Sequence, residues 1–204
     1  MNSSVLEISS ILGLCALAIL TVNFLLGMML STSYRRSFYW KRLPAKIQKI
    51  NVQQVHNWTA YVAFALILFH PALLLFDKAT KFFIADLLIP FHSSYQTVWT
   101  ALGVVSFYSV VLVIITTQKV VKRRLGFRLW KNVHLISYVT ALLMCVHGIF
   151  LDPELKNRNP DFFDGEKLLC EACFFIIIVT SITRSVYFNR QVKLKNIESD
   201  AGIK

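Results

Sequence analysis

Four histidines stand out because of the company they keep. His56 and His70 bound the stretch HNWTAYVAFALILFH, and His134 and His147 bound HLISYVTALLMCVH. The residues between them are mostly apolar. A neutral imidazole is the commonest metal ligand and also titrates near physiological pH. An ionisable side chain held at membrane depth marks function by default. On an ideal helix His56 and His70 are about 21 Å apart along the axis and about 40° apart around it. His134 and His147 are separated by about 19–20 Å but by about 140°, so tilt, a local bulge or different rotamers must bring both rings to one neighbour. Paired by depth, His56 lies level with His134, and His70 with His147.

Ligands about 20 Å apart cannot share a zinc ion, which needs them clustered. One imidazole from each of two helices at the same depth is instead the axial pair that a six-coordinate haem iron takes. Two such pairs predict two haems, stacked about 20 Å apart, with Phe64 and Thr140 near the midplane between them. Haem propionates want cations, and the register offers Arg35, Arg36 and Arg128.

The elements that must carry these residues follow from hydropathy. The chain has 204 residues, 55% of them hydrophobic, with a mean hydropathy of +0.55. Crossing a bilayer takes ~20 apolar residues of helix. Five stretches qualify, near residues 8–31, 54–76, 96–117, 132–151 and 168–187. They predict an all-α integral membrane protein, a bundle of about five transmembrane helices in one domain spanning 1–204, with two haem sites between helices two and four. Spans two and four run in the same direction and present the same histidine pair, as an internal repeat would.

The net charge of +11 raises nucleic acid as a partner for a soluble protein, but here the charge is sorted by loop. Arg35 to Lys49, Lys119 to Lys131 and Arg184 to Lys204 hold most of the basic residues on alternate ends of the spans. The other ends hold Lys78, Lys81, Lys156, Arg158 and Lys167 beside acids such as Asp152, Glu154, Asp161, Asp164 and Glu166. The positive-inside rule then predicts a multi-pass protein of the cell (inner) membrane, N-terminus outside and C-terminus cytoplasmic. Anionic lipid explains the basic loops, and no nucleic-acid partner is expected. In span one the basic residues follow the apolar run, which predicts a retained helix rather than a signal peptide. The segment FFIADLLIPFHSS between spans two and three is too short to cross and is expected along the surface or dipping in. The tail from Asn189 is expected to be loosely ordered.

Other residues carry weaker signals. Cys170 and Cys173 form C-E-A-C on one side of span five, which allows a membrane thiol–disulfide carrier; packing is the plainer reading, as it is for Cys15 and Cys145. A non-catalytic helical scaffold with structural histidines is the other alternative. His92 is either a ligand or docking group for an external acceptor or a solvated loop histidine. Glu171 is placed to snorkel. Trp40, Trp58, Trp99 and Trp130 form an interfacial belt, with Trp58 and Tyr138 in register to stack on a haem.

The spacing H-x(13)-H followed two helices later by H-x(12)-H, with HNWTAYVAFALILFHP, PFHSSYQTVWTALG, RRLGFRLWKNVHLISY and VHGIFL around it, resembles the ferric reductase-like transmembrane domain. Yeast-type ferric reductases, NADPH oxidases and the membrane haem subunit of a periplasmic methionine sulfoxide reductase system share that domain. The resemblance covers roughly residues 50 to 185. It implies that His56, His70, His134 and His147 ligate two b-type haems and that electrons pass from the cytoplasmic side to an acceptor outside. The thirteen-residue second spacing is also this family's habit. The flavin and nicotinamide domain of the larger members is not found here, and no glycine-rich dinucleotide loop is present. The expectation is an electron-transfer component fed by a separate cytoplasmic flavin reductase or by quinol, with a metal chelate, oxygen or a partner reductase as acceptor.

Overall fold

A computed structural model describes residues 5–32, 34–77, 82–152 and 161–200, with backbone only for Arg36 and residues 190–200. Among them the chain is helical throughout. Five long helices carry the apolar runs: α1 (Val5–Ser31), α4 (Val52–Leu74), α6 (Thr97–Thr117), α7 (Lys119–Phe150) and α8 (Gly165–Asp200). Each is long and apolar enough to cross a membrane, α8 over Gly165–Asn189. Between them lie a 3-10 turn (Tyr34–Arg36) and the short helices α2 (Phe38–Lys41), α3 (Ala45–Gln48) and α5 (Ile84–Leu88).

Local chemistry sets the boundaries. Ser37 caps α2 by accepting the Trp40 N–H, and Asn51 caps α4 by accepting the Gln54 N–H. Pro44 precedes α3, where a missing N–H costs nothing. Pro71 lies within the last turn of α4, so few intrahelical bonds remain to be lost after it. Within α7, Gly126 has φ 73° and ψ 163°, which breaks the helix into a basic arm and a membrane span. Nothing crowds that glycine, so it is required by its backbone angle alone. The α8 helix continues beyond the expected span to Asp200 rather than loosening at Asn189. Its polar end, RQVKLKNIESD, is rich in good helix formers and free of Gly and Pro, which lets the turn propagate.

α1 is the organiser. It packs along α4 and touches α8 and α7, while α7 packs along α6 and α8. Leu17, Phe24 and Met28 of α1 meet Ala141, Cys145 and Ile149 of α7 and Cys170, Cys173 and Ile177 of α8 in one core. A second cluster joins Ala16, Ile67 and Val110 from α1, α4 and α6, with Phe64, Phe107 and Met144 packed against it. The histidine helices α4 and α7 share no comparable packing, so the bundle is open along the line between them. Large apolar side chains such as Phe69, Val139, Phe175 and Ile182 face outward. A water-soluble protein would not tolerate so much exposed hydrocarbon, whereas acyl chains solvate it.

The segment after α4 lies against the side of α6, where Tyr108 meets Leu88. Phe83, Ile84, Ile89 and Phe91 are exposed around α5, in keeping with a surface-lying piece. The Asp86 carboxylate accepts the Phe83 N–H at 2.8 Å and pairs with the His92 imidazole at 2.8 Å, and the Tyr108 hydroxyl donates to the Leu88 carbonyl at 2.7 Å. Lys78, Lys81, Glu154, Lys156 and Arg158 lie outside the described residues.

Candidate paired-histidine site

The end of the bundle where Arg35, Arg128 and Arg184 gather is here the basic end; the end holding Asp86, Asp152 and Glu166 is the acidic end. At the basic end His56 and His134 face one another across the unpacked line between α4 and α7, with ring centroids 6.4 Å apart and planes at 75°. At the acidic end His70 and His147 line one cavity of about 420 Å³. Its other walls are mostly apolar, among them Ile67, Phe82, Phe107 and Met144, with Glu166 and Lys167 at the rim. The depth matching expected from the sequence is thus the arrangement found, and the second cluster, with Ala16, Ile67 and Val110, packs between the two levels.

Three of the four imidazoles are held in the same way. His70 Nδ1 lies 2.6 Å from the Ser9 carbonyl, His56 Nδ1 lies 3.0 Å from the Asn23 carbonyl, and His147 Nδ1 lies 2.7 Å from the Trp99 carbonyl. A carbonyl can only accept, so Nδ1 carries the proton in each and Nε2 keeps its lone pair. Four residues beyond each of those carbonyls stands a glycine against the same ring. A Cβ on Gly13 would lie 3.0 Å from His70 Cε1, one on Gly27 3.2 Å from His56 Cε1, and one on Gly103 2.7 Å from His147 Cε1. Carbonyl and glycine together form a cradle that seats each ring against its supporting helix.

Side chains reinforce two of the cradles. The Ser9 hydroxyl donates to the His70 carbonyl at 2.7 Å. The Asn23 amide donates to the His56 carbonyl and, at 2.8 Å, to the Thr59 hydroxyl. Span one, which reads as chemically plain, therefore positions both histidines of α4. One signal for this was present: Gly13 and Gly27 are fourteen residues apart, the same spacing as His56 and His70. In an antiparallel pair equal spacings stay in register.

His134 differs. Its Nδ1 is buried and has no hydrogen-bond partner among the described residues. Its ring instead stacks on Trp130, centroids 5.4 Å apart and planes at 21°. The Gly126 break brings the Lys122 ammonium 3.6 Å over the Trp130 indole, whose own N–H is buried and unpartnered. The thirteen-residue spacing is the cause. It turns His134 about 140° from His147, so only His147 meets the cradle on α6.

The other residues singled out by their chemistry fall as follows on the molecule. Arg35 and Arg128 are exposed at the basic end, and Arg35 Nε donates to the Tyr34 hydroxyl at 3.1 Å. The Arg36 side chain lies outside the described residues. Trp58 is 64% exposed on the outer face, so it is Trp130 that lies against a histidine. Tyr138 packs edge-on to Phe24 at 4.6 Å, beneath the Arg184 guanidinium. Phe64 packs against the cluster between the two levels, and Thr140 is buried nearby in the span, its hydroxyl donating to the Ile136 carbonyl at 3.1 Å. His92 is tied to Asp86, which gives it a structural partner. Glu171 is half-buried on α8.

Cys170 and Cys173 are unbridged and buried with Cys145 in the core, where a thiol behaves as a small apolar group. Lys167 reads in the sequence as one more loop cation. It is instead buried and donates to the Gly148 carbonyl at 2.9 Å and to the Leu151 carbonyl, which closes the end of α7.

No three His, Cys, Asp or Glu side chains gather as a metal cluster among the described residues. No curated protein matches the chain. The family model of the ferric reductase like transmembrane component matches residues 12–145, which include His56, His70 and His134 and run to within two residues of His147. The chain belongs to the ferric reductase-like transmembrane component family.

Proposed function

We propose that this protein is a transmembrane b-type cytochrome, one haem domain over residues 1–204. In this reading His56 and His134 hold one haem and His70 and His147 the other. It carries electrons from a cytoplasmic flavin reductase or quinol to an acceptor outside, which is a metal chelate, oxygen or a partner reductase. The protein is then the electron-transfer component of an oxidoreductase system rather than a complete enzyme.

One observation carries the reading, the 6.4 Å between the His56 and His134 rings. A separation of 6.4 Å leaves room for one ion between two imidazoles that each bind it through nitrogen at about 2.0–2.1 Å. The gap between α4 and α7 lets a flat apolar macrocycle enter edge-on, and three Nε2 lone pairs are freed by the carbonyls behind them. The residues present therefore fit the group. Bound b-type haem supplies a one-electron iron couple at each level.

The chain's own residues do the rest. Ser9, Asn23 and Trp99 fix ring orientation, Ile67, Phe107 and Met144 exclude water, and Phe64 with the cluster around it occupies the midplane between levels. Arg35, Arg36 and Arg128 supply cations for propionates at the basic end. By the positive-inside rule that end is cytoplasmic, in the cell (inner) membrane, with the N-terminus outside.

The test is a dithionite-reduced minus oxidised spectrum of the purified protein, with haem counted per chain by pyridine haemochrome. Two low-spin b haems per chain are expected, and a His→Leu change at any of the four positions should remove one. Colourless protein, or full haem in all four variants, would end the proposal.

A further inference from the structure

Three cradled histidines and one uncradled histidine make the two levels inequivalent. We infer that Trp130, by stacking on His134, is the positioning residue of the basic-end pair, and that this pair holds the haem of higher potential. The inference rests on the bis-histidine reading above. At the acidic end both rings donate Nδ1–H to a carbonyl, from His70 to Ser9 and from His147 to Trp99. At the basic end only His56 does so, to Asn23, while His134 Nδ1 has no partner among the described residues.

An Nδ1–H given to a carbonyl fixes the tautomer and makes the imidazole a more basic ligand. A more basic ligand favours ferric iron and lowers the potential. The acidic-end pair has two such bonds and the basic-end pair one. Charge does not separate the levels, since Lys122 lies over the indole that stacks on His134 and Lys167 lines the acidic-end cavity; the hydrogen bonds decide. Lacking a hydrogen bond, the His134 ring is oriented by the face of Trp130, so flat aromatic surface at position 130 is what matters, not the indole N–H.

The experiment is a redox titration of the haem-loaded protein with electron paramagnetic resonance of the oxidised state, on the parent, Trp130→Phe, Trp130→Leu and Gly103→Ala. Two waves are expected in the parent. Trp130→Leu should shift or broaden the low-spin signal of the higher-potential haem alone, and Trp130→Phe should retain it. Gly103→Ala should push His147 off the Trp99 carbonyl and raise the lower wave by about tenfold in reduced-to-oxidised preference, about 59 mV for one electron. Coincident waves in the parent, a Trp130→Leu effect on the lower-potential haem, or none at all, would overturn the inference. So would a Gly103→Ala shift of both waves alike. Should Gly103→Ala fail to assemble, the Trp130 pair decides alone. A parent without haem overturns the reading beneath, whereas two haems in the reverse order overturn only this inference.

Discussion

Gly103 and His147 meet so closely that a Cβ on the glycine would lie 2.7 Å from Cε1 of the imidazole. Real side chains do not approach that near, so the ring can sit where it does only because α6 is bare at that point. Gly27 is less demanding, with 3.2 Å to His56 Cε1. Alanine at the two positions should therefore differ. Gly103→Ala should cost about 1–3 kcal/mol through overpacking, read as a lower midpoint in thermal unfolding in detergent. Gly27→Ala should be close to the parent, since a shift of a few tenths of an ångström relieves it. Equal losses would mean that the glycines serve helix approach in general and not the imidazoles.

The α5 segment is held by one carboxylate. Asp86 accepts the Phe83 N–H and pairs with His92. Partial burial pushes its carboxyl up, but the Phe83 N–H and the His92 imidazole together outweigh this, and the group lies below its ordinary range. A carboxyl depressed in the folded state stabilises at pH above its unfolded value, about 4, and that contribution is lost as pH falls through the folded value. The protection factors of residues 83–92, referred to the intrinsic exchange rate at each pH, should thus fall below about pH 4. Asp86→Asn should show the lower protection at neutral pH as well, with the spans unchanged.

Much of this arrangement is legible in the sequence. Five spans follow from apolar length, because a helix that closes its own hydrogen bonds in lipid needs little else. The levelling of His56 with His134 and of His70 with His147 follows from helix rise. What does not follow is the role of α1 and α6. A backbone carbonyl has no letter in a sequence, so Ser9, Asn23 and Trp99 cannot announce themselves, and Gly13 and Gly27 read as ordinary small residues of a membrane helix. The 140° between His134 and His147 is visible, and it poses the problem of how both rings could reach one neighbour. They do not reach the same one: His147 takes the α6 cradle and His134 takes Trp130.

Gly148 and Cys170 make a second close pair, since a Cβ on Gly148 would lie 2.7 Å from the Cys170 sulfur. This separates packing from thiol chemistry. Gly148→Ala should destabilise, and Cys170→Ala should offset much of that loss when the two are combined. A coupling of about 0.5–3 kcal/mol in the double-mutant cycle would mark the contact. Cys170→Ser with Cys173→Ser should leave electron transfer to an artificial acceptor in place. Loss of transfer in that variant, with haem intact, would return the cysteine pair to the mechanism.

Lys167 places an ammonium where the last carbonyls of α7 end, donating to Gly148 and Leu151. The side chain is 4% exposed, and it lines the cavity that also holds His70 and His147. Its removal strips two carbonyls of their donor in a place water reaches poorly, and a buried group left unpaired costs about 1–3 kcal/mol. Lys167→Met keeps the length of the stem and removes the donors, so it isolates the hydrogen bonds from the packing. Faster hydrogen exchange is expected over residues 147–152, with exchange at 130–138 unchanged. Since the His147 ring is anchored separately by the Trp99 carbonyl, low-spin ligation at the acidic end should survive. A variant that lost its acidic-end haem signal while residues 147–152 stayed protected would show that Lys167 acts on the site directly, and not through the end of α7.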